Sequence, residues 1–185
     1  MYSMELLDIV DETGTPIGVA DRERIHREGL LHRAIHVWLL TPTGELIFQR
    51  RSSHKNTWPD KLDATVGGHV GLHEGYEAAA LRELREETGV IAQPTDLHFI
   101  TRLHNNVHDP ATGVSHNALG QIYVMRYDKP LATLRIDKSE AFGFEAWPVR
   151  TILHLSSAQR SKFVPVIIGD AYLAVYRDIK KLVHE

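Results

Sequence analysis

The segment from residue 68 to residue 90 constrains this chain most, because it combines a strong helix signal with a concentration of acidic side chains. Tyr76 to Thr88 are rich in good helix formers, and Gly89 suits the left-handed conformation that ends many helices. At roughly 100° per residue, Leu81 and Leu84 point into a core while the acidic side chains share about 100° of another face. Those acidic residues are Glu83, Glu86 and Glu87.

A helix face with this many carboxylates allows two interpretations. Like charges one turn apart destabilise an isolated helix by about 0.2–0.5 kcal/mol per pair, so the common interpretation is a solvated acidic face. A divalent cation would turn that repulsion into attraction. Mg²⁺ prefers oxygen ligands and keeps waters that substrate phosphate oxygens can replace. Arg82 lies four residues before Glu86, where it can pair with and orient that carboxylate.

The whole segment resembles the Nudix box: a glycine, five residues, a glutamate, seven residues, and then Arg-Glu-apolar-any-Glu-Glu-any-Gly-apolar. All nine specified positions match, namely Gly68, Glu74, Arg82, Glu83, Leu84, Glu86, Glu87, Gly89 and Val90. This agreement favours a metal site over a solvated face. The resemblance implies an enzyme that hydrolyses a diphosphate linkage in a small molecule, with Mg²⁺ or Mn²⁺ as cofactor.

The resemblance also implies residue roles. The metals would be bound by the carboxylates of Glu83, Glu86 and Glu87 and by the backbone carbonyl of Gly67. Glu74 would organise metal or water. Many family members recruit a further carboxylate from outside the box as base or ligand. Glu140 is the first candidate for that role and Glu145 the second; both are open to the simpler interpretation of surface residues.

Residues 5–127 are similar to the isopentenyl-diphosphate isomerase-like branch of the superfamily. The similar stretches are His26 with Leu31 to Trp38, Gln49 to Pro59, and Val66 to His69. Arg51 and Lys55 match basic residues that hold the substrate diphosphate in the isomerase. Two cations in one loop can also grip phosphate oxygens on physical grounds, although such charges are often simply solvated.

The same branch resemblance suggests a second, histidine-rich metal site at His32, His69 and His116. His26 also matches a histidine ligand of the isomerase, but its gap to His32 is one residue shorter here, so the predicted site omits it. The alternative is that these are ordinary core or strand-surface histidines without a ligand role, since the chain has 12 histidines in all.

Two departures from the isomerase pattern bear on the reaction. The isomerase uses a cysteine and a glutamate as opposed proton donor and acceptor, and this chain has Gly67 and Ala118 in their places. Neither side chain can transfer a proton, so hydrolysis is favoured over double-bond migration. The group attached to the diphosphate, called X below, is preferably a nucleoside, and Trp58 is a candidate aromatic surface for it to stack on. A prenyl group ranks lower. Isomerase activity and a non-catalytic diphosphate-binding module remain the alternatives.

Outside the box, strand and helix signals mix without regular alternation, which predicts an α/β/α sandwich with a mixed β-sheet. We expect one domain over 1–185, with an N-terminal extension over 1–31 and a C-terminal helix over 160–185. The predicted strands are 5–10, 17–20, 32–40, 46–51, 62–66, 97–107, 120–127 and 142–147, with a turn at 109–113. The predicted helices are 21–28, 76–88, 149–155 and 165–183.

The net charge of −3 argues against a surface that coats a nucleic-acid polymer, and the absence of cysteine excludes thiolate catalysis and Cys-based zinc sites. The longest apolar run, Ile35 to Leu40, is too short to span a bilayer, and the N-terminus does not resemble a secretory signal. We therefore expect a cytoplasmic protein without membrane contact. An apolar stripe on the C-terminal helix would pack on the domain or cover a homodimer partner; its members are Val166, Ile167, Ala171, Ala174, Val175 and Leu182.

Overall fold

A computed structural model describes residues 5–109 and 112–183. The strands are β1 (Leu6–Val10), β2 (Pro16–Asp21), β3 (His32–Leu40), β4 (Glu45–Arg51), β5 (Leu62–Asp63), β6 (Val66–His69), β7 (His98–Asp109), β8 (Val114–Arg126) and β9 (Ala141–Pro148). The helices are α1 (Arg22–Glu28), α2 (Tyr76–Thr88), α3 (Val149–Ile152), α4 (Ser157–Arg160) and α5 (Asp170–Leu182). Short 3-10 turns occur at Pro94–Asp96, Leu131–Thr133 and Val166–Ile168.

The main sheet is mixed, as the sequence predicted. Its strands follow the order β5-β4-β3-β8-β7, with β6 added to β3 and β9 added to β4. The central pair, β3 and β8, is parallel, whereas the other paired strands of this sheet run antiparallel. Because β3 contacts β6 on one side and β8 on the other, residues at its start lie at the junction of three strands.

Alternation along β3 divides the core into two layers. Ile35 and Val37 pack with Leu84 in the cluster beneath α2. Trp38 packs with Tyr176 in the cluster beneath α5. The sheet is therefore covered by α2 on one face and α5 on the other, which confirms the predicted α/β/α sandwich.

The N-terminal extension forms a separate small layer. Strands β1 and β2 make an antiparallel hairpin, and α1 follows with Asp21 as its N-cap and Gly29 as its left-handed C-cap, close to the helix predicted over 21–28. A small cluster of buried residues holds these elements together, including Leu7 and Ile25. The ion pair between Arg33 and Asp8, at 2.7 Å and largely buried, ties the extension to β3.

Several predicted bounds were wrong. The strand predicted over 62–66 is interrupted, because the Thr65 hydroxyl bonds to Ile47 O and accepts from Leu39 N at 3.0 Å in place of a backbone ladder. Strand β8 begins at Val114, six residues before the predicted start at Gly120. The helix predicted over 149–155 ends at Ile152. Pro110 and Ala111 of the predicted 109–113 turn lie outside the described residues.

The largest correction concerns the C-terminal helix. It was predicted to start at Pro165, but Gly169 is extended, with φ −77° and ψ 169°, and α5 starts at Asp170. The later start changes which face is buried: Ala171 and Ala174 of the predicted stripe are exposed. The buried residues are Tyr172, Val175, Tyr176 and Ile179. None of the helices described is long and apolar enough to cross a membrane.

Candidate active site

Helix α2 carries the predicted carboxylates at the edge of a large cavity. Glu87 is only 6% exposed, the Glu83 side chain is 15% exposed, and the Glu86 side chain is 49% exposed. All of them line one cavity of about 1350 Å³. The opposite face of α2 buries Ala80 and Leu84, so apolar packing fixes the direction in which the carboxylates point.

Arg82 organises these acidic groups through its guanidinium. It donates to both carboxylate oxygens of Glu74 at 2.9 Å, to Glu83 at 2.8 Å and to Glu86 at 3.3 Å. It also donates to the carbonyl oxygen of His69 at 3.0 Å, which ties α2 to β6. The hydrogen bonds from Arg82 lower the pKa of the Glu74 carboxyl. The predicted pairing with Glu86 is confirmed, but Glu74 receives the stronger, bidentate contact.

The glycine at position 68 is required by the position of Glu83. A Cβ at residue 68 would lie 2.3 Å from Cδ and Oε1 of Glu83, far inside van der Waals contact. The Glu83 side chain can therefore take this position only where residue 68 has no side chain. This brings the Glu83 carboxylate beside the backbone of Gly68.

Glu87 lies deepest among the helix carboxylates. The Gln49 amide donates to it at 3.3 Å. Burial raises the pKa of Glu87 well above its usual value, and the neighbouring Glu140 and Glu83 raise it further. Burial likewise raises the pKa of Glu83. Grouped carboxylates with disfavoured charge are suited to a divalent cation, which would stabilise their ionised forms.

The two predicted phosphate-binding cations lie at the same cavity, each beside a carboxylate. Arg51 donates to Asp63 at 2.9 Å and to the carbonyl oxygen of Thr57 at 2.9 Å. Lys55 forms an ion pair with Glu140 at 2.5 Å. The two cations are therefore not simply solvated loop charges.

Of the two carboxylates proposed from outside the box, the structure brings one to the site. Glu140 lines the cavity and is close enough to Glu87 to raise its pKa. Glu145 instead pairs with Arg50 and accepts a hydrogen bond from Trp147, and it does not line the cavity. Gly67, Ala118 and Trp58 also line this cavity.

The histidine cluster differs from the predicted set. His26, His32 and His69 place their ligand atoms within 4.8 Å of one another. The ring of His116 lies 4.8 Å from that of His26, centroid to centroid, and its Nε2 is buried without a hydrogen-bond partner. The structure thus brings His26, which the predicted site left out, beside His32 and His69 although its gap to His32 is one residue shorter.

Hydrogen bonds set the proton positions in this cluster. Nδ1 of His26 lies 3.0 Å from the carbonyl oxygen of Ser115, and Nδ1 of His32 lies 3.0 Å from that of Leu30. Nδ1 of His69 lies 3.4 Å from a carboxylate oxygen of Glu5. These oxygens only accept, so each of the three Nδ1 atoms holds a proton. Nε2 of His26 and Nε2 of His69 form a hydrogen bond at 3.1 Å, in which one of the two nitrogens holds a proton and the other accepts it.

Burial lowers the pKa of His26, of His32 and of the neighbouring His116. Burial, with a smaller contribution from His69, lowers the pKa of His32 to about 3. Burial and the neighbouring rings lower the pKa of His116 to about 4. A neutral imidazole with one unprotonated ring nitrogen has the protonation state that a metal ligand needs.

Sequence reasoning missed three residues that line this cavity: His36, Gln49 and Asp63. A signal for two of them was available. His36 alternates on the same face of β3 as His32, and Gln49 is a polar residue within the otherwise apolar 46–49 run of β4. Asp63 gave no such signal, because its role depends on Arg51 approaching from another strand.

Comparison with known proteins agrees with this geometry. The family model described as NUDIX domain matches residues 30–166. An isopentenyl-diphosphate Delta-isomerase from Paenarthrobacter aurescens is 35% identical over 127 residues, which are 68% of this chain and 68% of that protein. An uncharacterized Nudix hydrolase from Streptomyces coelicolor is 43% identical over 90 residues, which are 49% of this chain and 50% of that protein. The match thus spans half the length of the Streptomyces relative.

A solved structure extends the likeness to nearly the whole chain. The crystal structure of DR0079 from Deinococcus radiodurans matches with a TM-score of 0.69 at 25% identity, covering 94% of this chain and 99% of that one. The family match includes the strands and helix that carry the carboxylates, the basic loop and most of the histidine cluster. The chain belongs to the NUDIX domain family, in the branch that includes both Nudix hydrolases and isopentenyl-diphosphate isomerases.

Proposed function

We propose that this protein hydrolyses a diphosphate bond in a small X-diphosphate with the help of Mg²⁺ or Mn²⁺. The observation that supports this most is the meeting of opposite charges at one cavity. Glu83 and Glu87 face it from α2, Arg51 faces it from the end of β4, and Lys55 faces it from the loop that follows. The first pair suits a divalent cation, and the second suits the phosphate oxygens that such a cation also binds.

The metal would be held by Glu83, Glu86 and Glu87 with the Gly67 carbonyl, while Arg82 keeps Glu74 beside them. When bound, it would neutralise the diphosphate and make a water more acidic. The chain's own charged residues would bind the phosphates and accept the proton of the attacking water.

Substrate binding would rearrange the ion pair between Lys55 and Glu140. A phosphate competes with the Glu140 carboxylate for the Lys55 ammonium, and the two partners are now only 2.5 Å apart. Once Lys55 turns to phosphate, Glu140 is left with an unpaired carboxylate close to Glu87. Glu140 could then accept the proton of the attacking water, while Arg51 holds the phosphoryl oxygens.

The size of the cavity supports a substituent larger than a diphosphate. A volume of about 1350 Å³ exceeds the range of about 300–1,000 Å³ in which drug-sized ligands usually bind. Trp58 borders it, with its ring 5.8 Å from that of His116. We therefore keep a nucleoside as the preferred X group and a prenyl group as the less favoured one.

Isomerase activity is the rival proposal, because several relatives carry that name. Gly67 and Ala118 border the cavity at the places where proton-transferring side chains would be needed. Interconversion of the two five-carbon prenyl diphosphates without phosphate release would favour the isomerase. Binding of diphosphates without any turnover would favour a non-catalytic module.

The test is a hydrolysis screen of nucleoside diphosphates, nucleotide sugars, dinucleotides and prenyl diphosphates with Mg²⁺ and with Mn²⁺. Glu87→Gln should lower kcat by about a hundredfold or more on any substrate found, because it removes a charged ligand of the metal. Glu77→Gln is the matched control, since Glu77 lies on the exposed first turn of α2. Full activity in Glu87→Gln would contradict the proposed metal role.

The proposal also includes a transition-metal site at His26, His32 and His69, with His116 beside it. Support comes from three ring nitrogens, one from each histidine, that lie within 4.8 Å of one another. A bound cation would take the place of the proton between Nε2 of His26 and Nε2 of His69, which are 3.1 Å apart. Glu5 would act as the outer partner that orients His69.

A further inference from the structure

His36 lies at the floor of the cavity, directly opposite Gly67 across the β3–β6 pair. A Cβ at residue 67 would lie 3.1 Å from Cδ2 and 3.3 Å from Nε2 of the imidazole. The missing side chain at Gly67 therefore leaves one edge of the His36 ring uncovered toward the site. The proposed mechanism assigns no role to this ring.

A chain of hydrogen bonds leads to the other edge of the same ring. The Asn105 amide nitrogen donates to the Tyr172 hydroxyl oxygen at 3.0 Å. The Tyr172 hydroxyl lies 2.8 Å from Nδ1 of His36. Among the described residues, Nδ1 of His36 is the acceptor in hydrogen-bond range of the buried hydroxyl, so the one hydroxyl hydrogen is directed to Nδ1.

This chain selects one tautomer of His36. An Nδ1 that accepts a hydrogen bond carries no proton, so the ring proton is on Nε2. Over the described parts of the chain, no protein atom accepts a hydrogen bond from that Nε2–H. The N–H is thus an oriented donor on the uncovered edge of the ring. Burial lowers the pKa of His36, while the charge of Asp63 raises it and that of Arg51 lowers it.

We propose that the Nε2–H of His36 binds an anionic phosphate oxygen of the substrate, with Tyr172 and Asn105 as positioning residues. This inference rests on the proposed function and deepens it by adding a neutral donor to the cations Arg51 and Lys55. A neutral donor suits this place, because it binds a phosphate oxygen without adding another positive charge to those of Arg51, Lys55 and the metal.

The rival explanation is simple packing, in which Tyr172 satisfies its own buried hydroxyl and His36 fills space left by Gly67. The two explanations differ in what the hydroxyl does for the site. Under packing, loss of the Tyr172 hydroxyl would change stability only. Under the proposal, loss of the hydroxyl would also leave the ring proton of His36 no longer fixed on Nε2, which would weaken binding of the phosphate.

The direct test is nuclear magnetic resonance of the full chain with ¹⁵N-labelled histidine, using His36→Gln to assign the ring signals. We expect the Nε2–H tautomer in the protein alone. Addition of imidodiphosphate with Mg²⁺ should shift the Nε2 signal of His36. An Nδ1–H tautomer, or an Nε2 signal that does not move when the probe is bound, would overturn the proposal.

Kinetics on whichever diphosphate the screen identifies supply the second test. His36→Leu should lower kcat/KM by about 10- to 100-fold, the range for loss of a hydrogen bond to a charged group. His36→Gln, which keeps an N–H near the Nε2 position, should recover part of that loss. Equal losses in the two variants would contradict the donor role.

Tyr172→Phe should raise KM several-fold, and Tyr176→Phe is its matched control. Tyr176 lies one turn along α5, is fully buried and donates to the carbonyl oxygen of Ile167, away from the cavity. Both variants lose one buried hydroxyl, so equal KM values in the two would favour packing. If the wild type hydrolyses a diphosphate but the Nε2 signal of His36 does not shift with the probe, this inference alone is wrong. If the signal shifts but no diphosphate is hydrolysed, the proposed function alone is wrong.

Discussion

Glycine at position 68 shows how a single missing side chain can fix the geometry of a site. The Glu83 carboxylate occupies the space in which a Cβ of residue 68 would lie. In Gly68→Ala, the end of the flexible Glu83 side chain would have to move aside. We expect kcat to fall by about a hundredfold, because a displacement of about 1 Å in a catalytic group can have that effect.

The stability cost of Gly68→Ala should be small, at about 1 kcal/mol, since a side-chain end moves and the backbone does not. Gly143→Ala is the control, because a Cβ there meets no atom within 4 Å. Hydrolysis rates and urea unfolding of both variants would check the prediction. Unchanged kcat in Gly68→Ala would mean that the position of Glu83 is not critical.

Among single residues, the sequence predicted those whose relative positions follow directly from their spacing along the chain. Glu83, Glu86 and Glu87 are on one helix, so their positions follow from 3.6 residues per turn. His26 could not be predicted in the same way, because its place beside His32 and His69 depends on how α1 packs against the sheet. The partner of Arg51 depends on a neighbouring strand, which no local pattern reveals.

Helix α5 shows the same limit at the level of an element. Its existence was predicted, but its start was placed five residues early, and the buried face was misjudged as a result. Apolar residues continue from Val164 through Ile168, so the helical pattern extended across a segment that is mostly a 3-10 turn. Gly169 in an extended conformation ends that segment, and a glycine inside an apolar pattern was the available signal.

The observed register of α5 makes a stability prediction. Ile179 is fully buried beneath the sheet, so Ile179→Ala should lower the free energy of unfolding by about 2–5 kcal/mol. Ala174, which the predicted stripe included, is exposed, and Ala174→Ser should change stability by less than about 0.5 kcal/mol. Urea unfolding with unchanged slopes would measure both. A larger loss in Ala174→Ser than in Ile179→Ala would contradict this register.

For the whole molecule, the histidine cluster is where the N-terminal extension meets the sheet. His26 comes from α1, His32 from β3 and His69 from β6, so a metal bound there would join three elements. The extension otherwise meets β3 mainly through the buried pair of Arg33 and Asp8. A ligand that binds only this folded arrangement would stabilise the protein by mass action.

We therefore expect Zn²⁺ to raise the thermal midpoint of the protein by roughly 5 °C or more at a hundredfold excess over Kd. The Zn²⁺ is added while Mg²⁺ saturates the carboxylate site, and the reference is the same protein with Mg²⁺ but without Zn²⁺. His26→Ala should remove most of that rise, because it deletes one of the three converging ring nitrogens and leaves the carboxylates of α2 in place. His154→Ala is the control, since His154 is exposed and distant in sequence from the cluster. Differential scanning calorimetry and metal content by elemental analysis would be read together. The same rise and the same bound Zn²⁺ in wild type and His26→Ala would place the ion elsewhere. The extension would then be held to the sheet without a metal, by packing, the Arg33–Asp8 pair and hydrogen bonds such as that from the Asn117 amide to the carbonyl oxygen of Gly29.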